Sequence, residues 1–464
     1  MTITGFGEHI TQLFKKYMPD AFVFALALTV ITFTSALLFT NTTFIDTIVA
    51  WYKGFWLLLE FGMQMVLMLV TGYSIALSSH VKKLFYKLSR YISTPRQVYI
   101  FILIVGMLLS MVSWGWMVIT AVLARELAPR VKGVNYPFLI ACVYFSGVIW
   151  VCGLSSTIPL LLNTQNNYLI EAGILSNTIS TEITLGSILN ILVFIVMIVG
   201  SVIIFPLFAP KKGPELSDLL IDKDHKKEYS IEDEAESMNL KENAVSDRLN
   251  NSSLLQYGIV LMGLIYIVFH FLTGGFDLNL NIMIFIFIIL GLILHKTPMR
   301  YGIAMKRSSS NISGILFQYP FYAGIMGIMI YTGLGESIGA WIASVATVHT
   351  YPLFAFLSGA IINFAIPSAG GEFAVIGPSI INAVKEIGAG LPPQEVIEMV
   401  SRASLAVAYG ETLTNLLQPF FLLIVLPVMG IGIKLQARDV MGYLLIPFAI
   451  FFILIGFMVM FLPL

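Results

Sequence analysis

Charge is what this sequence has least of: 11% of its 464 residues are Asp, Glu, Lys or Arg, against about a quarter in an ordinary soluble domain. A soluble globule of this size is excluded. The two signs also cancel, 26 basic residues against 26 acidic ones, so no net field draws a nucleic acid and no such partner is expected. Cysteine is nearly absent. Cys142 and Cys152 fall in one apolar stretch, without metal-ligand partners or the even spacing of a disulfide framework, and read as small packing residues. The alternation of apolar and polar residues that marks a membrane barrel is missing from the long apolar runs. No His-Glu-x-x-His or comparable nucleophile-and-base set points to an enzyme, and no cofactor is expected.

What the sequence has in abundance is apolar length. Hydrophobic residues make up 58% of it and the mean hydropathy is +0.88. Runs such as Ala21–Phe39, Ile188–Phe208, Leu278–Leu294 and Leu444–Leu462 approach the roughly 20 residues with which a helix crosses a bilayer. The fold class is therefore an all-α polytopic membrane protein whose solvent is the lipid bilayer. The segment before the first run, Met1–Asp20, is weakly amphipathic, with Phe6, Ile10, Leu13 and Phe14 on one helical face. It lacks a small-residue cleavage site, so no cleaved signal peptide is expected.

Basic residues orient the spans, because short loops rich in Lys and Arg stay cytoplasmic. Lys15 and Lys16 precede the first span, Lys82, Lys83, Lys87, Arg90 and Arg96 follow the second, and Arg125, Arg130 and Lys132 come next. The stretch between the last two groups is too long for one span and is interrupted near Ser113-Trp114-Gly115-Trp116. A re-entrant hairpin over 98–126, entering and leaving on the cytoplasmic side, satisfies both loops. The polar stretch Lys211–Asn251 reads as a cytoplasmic, largely disordered linker. The chain thus divides into a first repeat over 1–210, a linker over 211–252, and 253–464, which holds a linking span over 254–272 and a second hairpin over 351–384. A multi-pass protein with its N-terminus inside and its C-terminus outside is expected. His270, His295 and His349 sit near span ends and are expected at the surface.

The halves share landmarks. Gln64 and Gln318 each precede a broken hairpin and then a span with a proline, Pro159 or Pro419, with separations of 95 and 101 residues. That order suggests two inverted-topology repeats, which give a carrier two nearly equivalent states, one open to each side. Interrupted helix is tolerated at membrane depth only where it lines a cavity or is buried in protein. Four interruptions, at Ser113–Gly115, Gly153–Thr157, Asn363–Glu372 and Gly410–Asn415 followed by Gln418-Pro419, therefore nominate a midplane site, with Trp114 and Gly115; Ser155, Ser156 and Thr157; Asn363, Pro367, Ser368, Gly370 and Gly371 for the substrate. No Lys or Arg lies among them. Helix N-termini and hydroxyls suit a small carboxylate without a buried ammonium. Glu411 with Thr412, Thr414, Asn415 and Gln418, and also Glu372, nominate the coupling-ion group, since an ionisable side chain at that depth is functional by default. Sodium, with a site at Glu411 and Asn415, and a proton both stay open. The plainer account of each hydroxyl is a bond back to its own helix carbonyls, and of Glu411 a structural network.

At these residues the sequence resembles the bacterial short-chain fatty acid transporter family. The likeness runs almost the full length. It is carried by Phe61-Gly62-Met63-Gln64-Met65, Tyr136-Pro137, Leu294-His295-Lys296-Thr297-Pro298-Met299, Gln318-Tyr319-Pro320-Phe321-Tyr322-Ala323-Gly324-Ile325, Ile362 through Gly371, and Ala408-Tyr409-Gly410-Glu411 with Asn415 and Gln418-Pro419. The resemblance implies a place in the wider ion-transporter superfamily, with a scaffold holding an elevator-like transport region, two opposed hairpins and two unwound helices. It also implies that many relatives are dimers, so a homodimer stands open here. The implied activity is cation-coupled uptake of a small monocarboxylate of the butyrate and acetoacetate class across a bacterial plasma membrane. A dicarboxylate, amino-acid or sodium/proton carrier is the alternative, and an ion channel a more distant one.

Overall fold

The computed structural model of the chain describes residues 19, 21–81, 83, 87, 90–112, 114–165, 167–171, 173–221, 230–238, 244–275, 280–309 and 312–464. The N-terminal face carrying Phe6, Ile10, Leu13 and Phe14, and Ser113 of the first interruption, lie outside them. Among the described residues the protein is all-helical, its one trace of β pairing being an isolated bridge between Leu220 and Ile433. Six helices among the described residues are long and apolar enough to cross a bilayer, or seven if one bent pair counts as a span.

Helix α1 (Ala21–Phe39) is followed by α2 (Phe44–Gly54) and α3 (Leu59–Ala76). The sequence reading did not anticipate α2, which at 11 residues is too short to cross. It is started by a capping box: Thr43 Oγ1 accepts from the Asp46 N–H at 3.2 Å, and the Thr43 N–H donates to the Asp46 carboxylate at 3.3 Å. It is held by glycine. A methyl added to Gly54 or Gly327 would strike the backbone of the opposite helix, so α2 lies against α12 (Ser313–Tyr331) at the close approach that small residues permit in lipid.

The same group of helices contains α9 (Ser253–Gly274), α10 (Leu280–His295) and α11 (Pro298–Ser308), with α3 packed on α10, α11 and α12. His295, expected at the surface, is 4% exposed. Its ring Nε2 lies 2.8 Å from the Ser74 carbonyl of α3. A histidine at a helix end had a buried backbone acceptor to meet, which span position alone does not show.

The second group holds the interrupted elements: α4 (Pro95–Val112), a 3-10 turn Trp114–Trp116, α5 (Met117–Leu127), α6 (Tyr136–Ser146) with its 3-10 extension Gly147–Cys152, α7 (Thr157–Leu162) and α8 (Ile188–Phe208). After α13 (Leu334–Ser344) come α14 (Tyr351–Ile362), α15 (Ala369–Ile387), α16 (Pro393–Thr414), a 3-10 turn Asn415–Leu417, α17 (Leu422–Met429) and α18 (Leu445–Phe461). The bend between α16 with its turn and α17 is 44°. Pro419, without an N–H, lies in that bend, where the helical ladder is already broken.

The polar linker over 211–252 holds local structure among its described residues. Its described residues include short helices at Leu216–Leu219, Ile231–Ser237 and Val245–Asn250, and part of it is docked on the helical bundle.

Candidate functional site

Two glycines set the geometry of the second half. A methyl on Gly359 would collide with the Val407 carbonyl, and one on Gly410 with the Phe356 carbonyl, so α14 and α16 cross backbone to backbone. One turn beyond Gly359, α14 ends at Asn363, which is brought against the end of α16. The buried Asn363 Nδ2 donates towards the Glu411 carbonyl at 3.0 Å, Thr414 Oγ1 at 2.9 Å and Asn415 Oδ1 at 3.0 Å. Gln418 Nε2 returns the contact, donating to the Asn363 carbonyl and to Asn415 Oδ1, both at 3.0 Å. The interruption after Ile362 and that after Thr414 are therefore stitched together. Pro367 is buried beside them.

In the first half Gly153 plays a similar part. Its Cα sits where a side chain would strike the Met111 carbonyl, and the Leu154 N–H donates to that carbonyl at 2.8 Å. The end of α4 is so tied to the break between the α6 extension and α7. Trp114 and Gly115 lie in the turn that follows, with Gly115 packed on the Met68 side chain of α3.

The halves meet at the tips of α7 and α15. A Cβ built on Gly370 would lie 3.3 Å from the Thr157 methyl. Thr412 Oγ1 donates to the Val148 carbonyl at 2.7 Å, and Tyr144 OH donates to the Asn415 carbonyl at 2.6 Å. Tyr409 OH reaches Asn190 Oδ1 at 2.8 Å, and Asn190 Nδ2 donates to the Cys152 carbonyl at 3.0 Å. Tyr144 and Asn190 were not singled out from sequence, and Tyr409 appeared there only within the family likeness. Only the fold reveals the broken backbone that each supports.

The starts of α15 and α7 share one feature. Ser368 and Ser156 occupy the N-cap positions of α15 and α7, and neither side chain caps its helix. The first N–H groups of a helix have no acceptor within it, and the N-cap side chains do not take them here. Gly370 and Gly371 expose the backbone of α15, although Gly371 also faces Met326 of α12. Ser156 Oγ is buried with no hydrogen-bond partner; Ser155 is half-buried and Thr157 exposed.

Glu372 and Glu411 are both fully buried. Asn415 Nδ2 lies 3.4 Å from Glu411 Oε1, while Glu411 Oε2 and both oxygens of Glu372 lack a partner. Asn363 Oδ1 and Gln418 Oε1 are further buried acceptors without donors. An amide has two hydrogens, and that of Asn363 faces three acceptors, so the cluster is rich in oxygen and short of protons. Thr414 Oγ1 bonds back to the Gly410 and Glu411 carbonyls, both at 3.1 Å, the plain helical account of that residue. Among the described residues no group of three His, Cys, Asp or Glu is placed to hold a metal.

A Gly-x-Ser-x-Gly string does occur, at Gly335–Gly339. It lies inside α13, not on a strand-to-helix elbow, and Ser337 Oγ donates to the Gly333 carbonyl at 2.9 Å.

Residues 2–462 match the sequence profile of a family described as short chain fatty acid transporter. A protein of Escherichia coli (strain K12) is 36% identical over 442 residues, covering 94% of each chain. One of Haemophilus influenzae is 34% identical over 448 residues, covering 95% of this chain and 96% of that one. Both carry the provisional name short-chain fatty acid transporter. The solved structure of Neisseria gonorrhoeae MtrF, described as one of a class of antimetabolite efflux pumps, aligns over 99% of this chain and 97% of that one at 14% identity. Its TM-score of 0.40 is too low to decide the fold.

Proposed function

This chain belongs to the short-chain fatty acid transporter family, and from that premise we propose that it is a cation-coupled carrier of a small monocarboxylate. The observation that supports this reading most is the meeting of two uncapped helix starts, at Thr157 and Gly370, beside buried carboxyl groups. A monoanion's oxygens accept from the free N–H groups of α15 and from Ser156 and Ser368, without a fixed cation that would hold it too tightly to release. No Lys or Arg is needed at such a site, and none lies in the interruptions.

Coupling falls to Glu411 and Glu372. Two carboxylates with no counter-charge are costly in a buried setting unless a proton or metal cation neutralises them. A cation bound there also offsets the charge of the incoming substrate, so the loaded site crosses more readily than the half-loaded one. In this reading the interrupted helices move as one body against α1–α3 and α9–α12, the halves are inverted repeats with re-entrant hairpins, and the basic loops face the cytoplasm of a bacterial cell. A homodimer fits the same scheme.

The test is counterflow of labelled acetoacetate in proteoliposomes, measured against protein-free vesicles. Unlabelled butyrate should abolish the signal at concentrations where succinate and arginine leave it intact. Equal competition by succinate or arginine would move the protein to the dicarboxylate or amino-acid class, and a single-channel conductance would replace the carrier with a pore.

A further inference from the structure

The polar linker between the halves is docked at two places, on different groups of helices. Its first part runs along the interrupted group. The Tyr136 N–H donates to the Pro214 carbonyl at 2.9 Å, and the Gly133 N–H to Glu215 Oε1 at 2.8 Å. The Lys434 N–H donates to the Leu219 carbonyl at 2.9 Å, and the Ile221 N–H to the Gly432 carbonyl at 3.0 Å. Leu216, Leu219 and Leu220 add apolar contact with the main core.

The second part sits on the other group. Helix Ile231–Ser237 buries Ile231 and Ala235 with Ile303 and Ala304 of α11, against Leu77 and Met299. Glu234 pairs with Arg307, whose Nε lies 2.9 Å from the carboxylate. Thr297, whose Oγ1 accepts from the Arg300 N–H, caps α11 and fixes that surface.

We propose that the linker is a strap that holds the two groups of helices in the relative position seen here, and that its Ile231–Ser237 end is the releasable one. Among the described residues that end docks through Ile231 and Ala235 and through the Glu234–Arg307 pair, each of whose side chains is 27% exposed, so salt weakens the pair and its contribution is modest. The other end is held mainly by backbone hydrogen bonds, which no surface charge change removes. The proposal draws on the reading of the interrupted helices as a moving body, because only then does releasing the strap alter turnover.

The native cysteines are buried, so spin labels can be placed at Lys132→Cys, by the first dock, and Lys306→Cys, on α11. Pulsed electron paramagnetic resonance then reads the distance between the two groups without substrate. One distance is expected for the otherwise unaltered protein, a second population in E234R and in R307E, and a return to one in E234R/R307E. Acetoacetate exchange in the same proteins should rise about two- to tenfold in the single reversals and fall back in the double. Distance distributions that ignore E234R and R307E overturn the strap. Distances that shift and are restored, with no acetoacetate exchange in any form, uphold the strap and remove the carrier reading instead.

Discussion

Gly410→Ala tests how the two interruptions of the second half are brought together. The added methyl collides with the Phe356 carbonyl, and α14 and α16 must part by roughly 1 Å to regain an ordinary carbon–oxygen contact. Asn363 sits one turn from the crossing, and its 3.0 Å bonds to the Glu411 carbonyl and Asn415 Oδ1 would open beyond hydrogen-bonding range. Overpacking and two unmade buried hydrogen bonds together cost about 3–6 kcal/mol. Thermal unfolding in detergent, followed by intrinsic fluorescence, should show a large drop for Gly410→Ala and also for Asn363→Ala. Because both changes break the same bonds, the double variant should lose clearly less than the sum. Gly258→Ala is the control, since nothing lies within 4 Å of a Cβ there. Gly410→Ala melting with Gly258→Ala, or strict additivity with Asn363→Ala, would refute the idea that this glycine crossing positions Asn363.

Other outcomes follow from the same geometry. Glu411→Gln should keep exchange of acetoacetate between equal concentrations and lose accumulation driven by an imposed sodium or pH gradient; retained accumulation removes Glu411 from coupling. Arg125 donates to the Val428, Met429 and Ile431 carbonyls at 3.0, 2.8 and 2.7 Å, capping the end of α17. Arg125→Gln should therefore destabilise by about 2–4 kcal/mol in the same melting assay, and an unshifted melt would show that those carbonyls find other donors. Gly370→Leu should abolish exchange with little change in melting, because its side chain fills the space beside Thr157; normal exchange would place the substrate elsewhere.

The all-helical class was legible because apolar length is written into composition, and the helix interruptions because Gly, Ser, Asn and Pro cluster where a helix is hard to continue. The break after Ile362, the bend at Pro419 and the non-helical stretch at Gly153-Leu154-Ser155 all stand where such residues gather. Gly410 to Thr414, expected as a break, instead continue α16, whose ladder changes only at Asn415, and Gly370 and Gly371 already belong to α15. What sequence could not convey was closeness between distant segments. Gly54 and Gly327 are ordinary glycines until two backbones meet at them, and α2 is too short to register as a span. His295 looked like a surface residue because its partner, the Ser74 carbonyl, is 221 positions away. The Thr412 hydroxyl donates to the Val148 carbonyl, a partner that no hydroxyl pattern predicts. The linker's charge suggested disorder, but the apolar pair Ile231 and Ala235, one helical turn apart, finds a matching surface on α11.

The most direct test of the central claim, that the helix starts at Thr157 and Gly370 frame the carboxylate site, is protection of a single introduced thiol. Thr157→Cys lies at an exposed position and can be labelled with a thiol reagent in the presence and absence of acetoacetate, with Lys306→Cys as the remote comparison. Acetoacetate and butyrate should slow labelling at Thr157→Cys in a saturable way and leave Lys306→Cys unaffected. Labelling of Thr157→Cys at one rate whatever carboxylate is present would contradict the account.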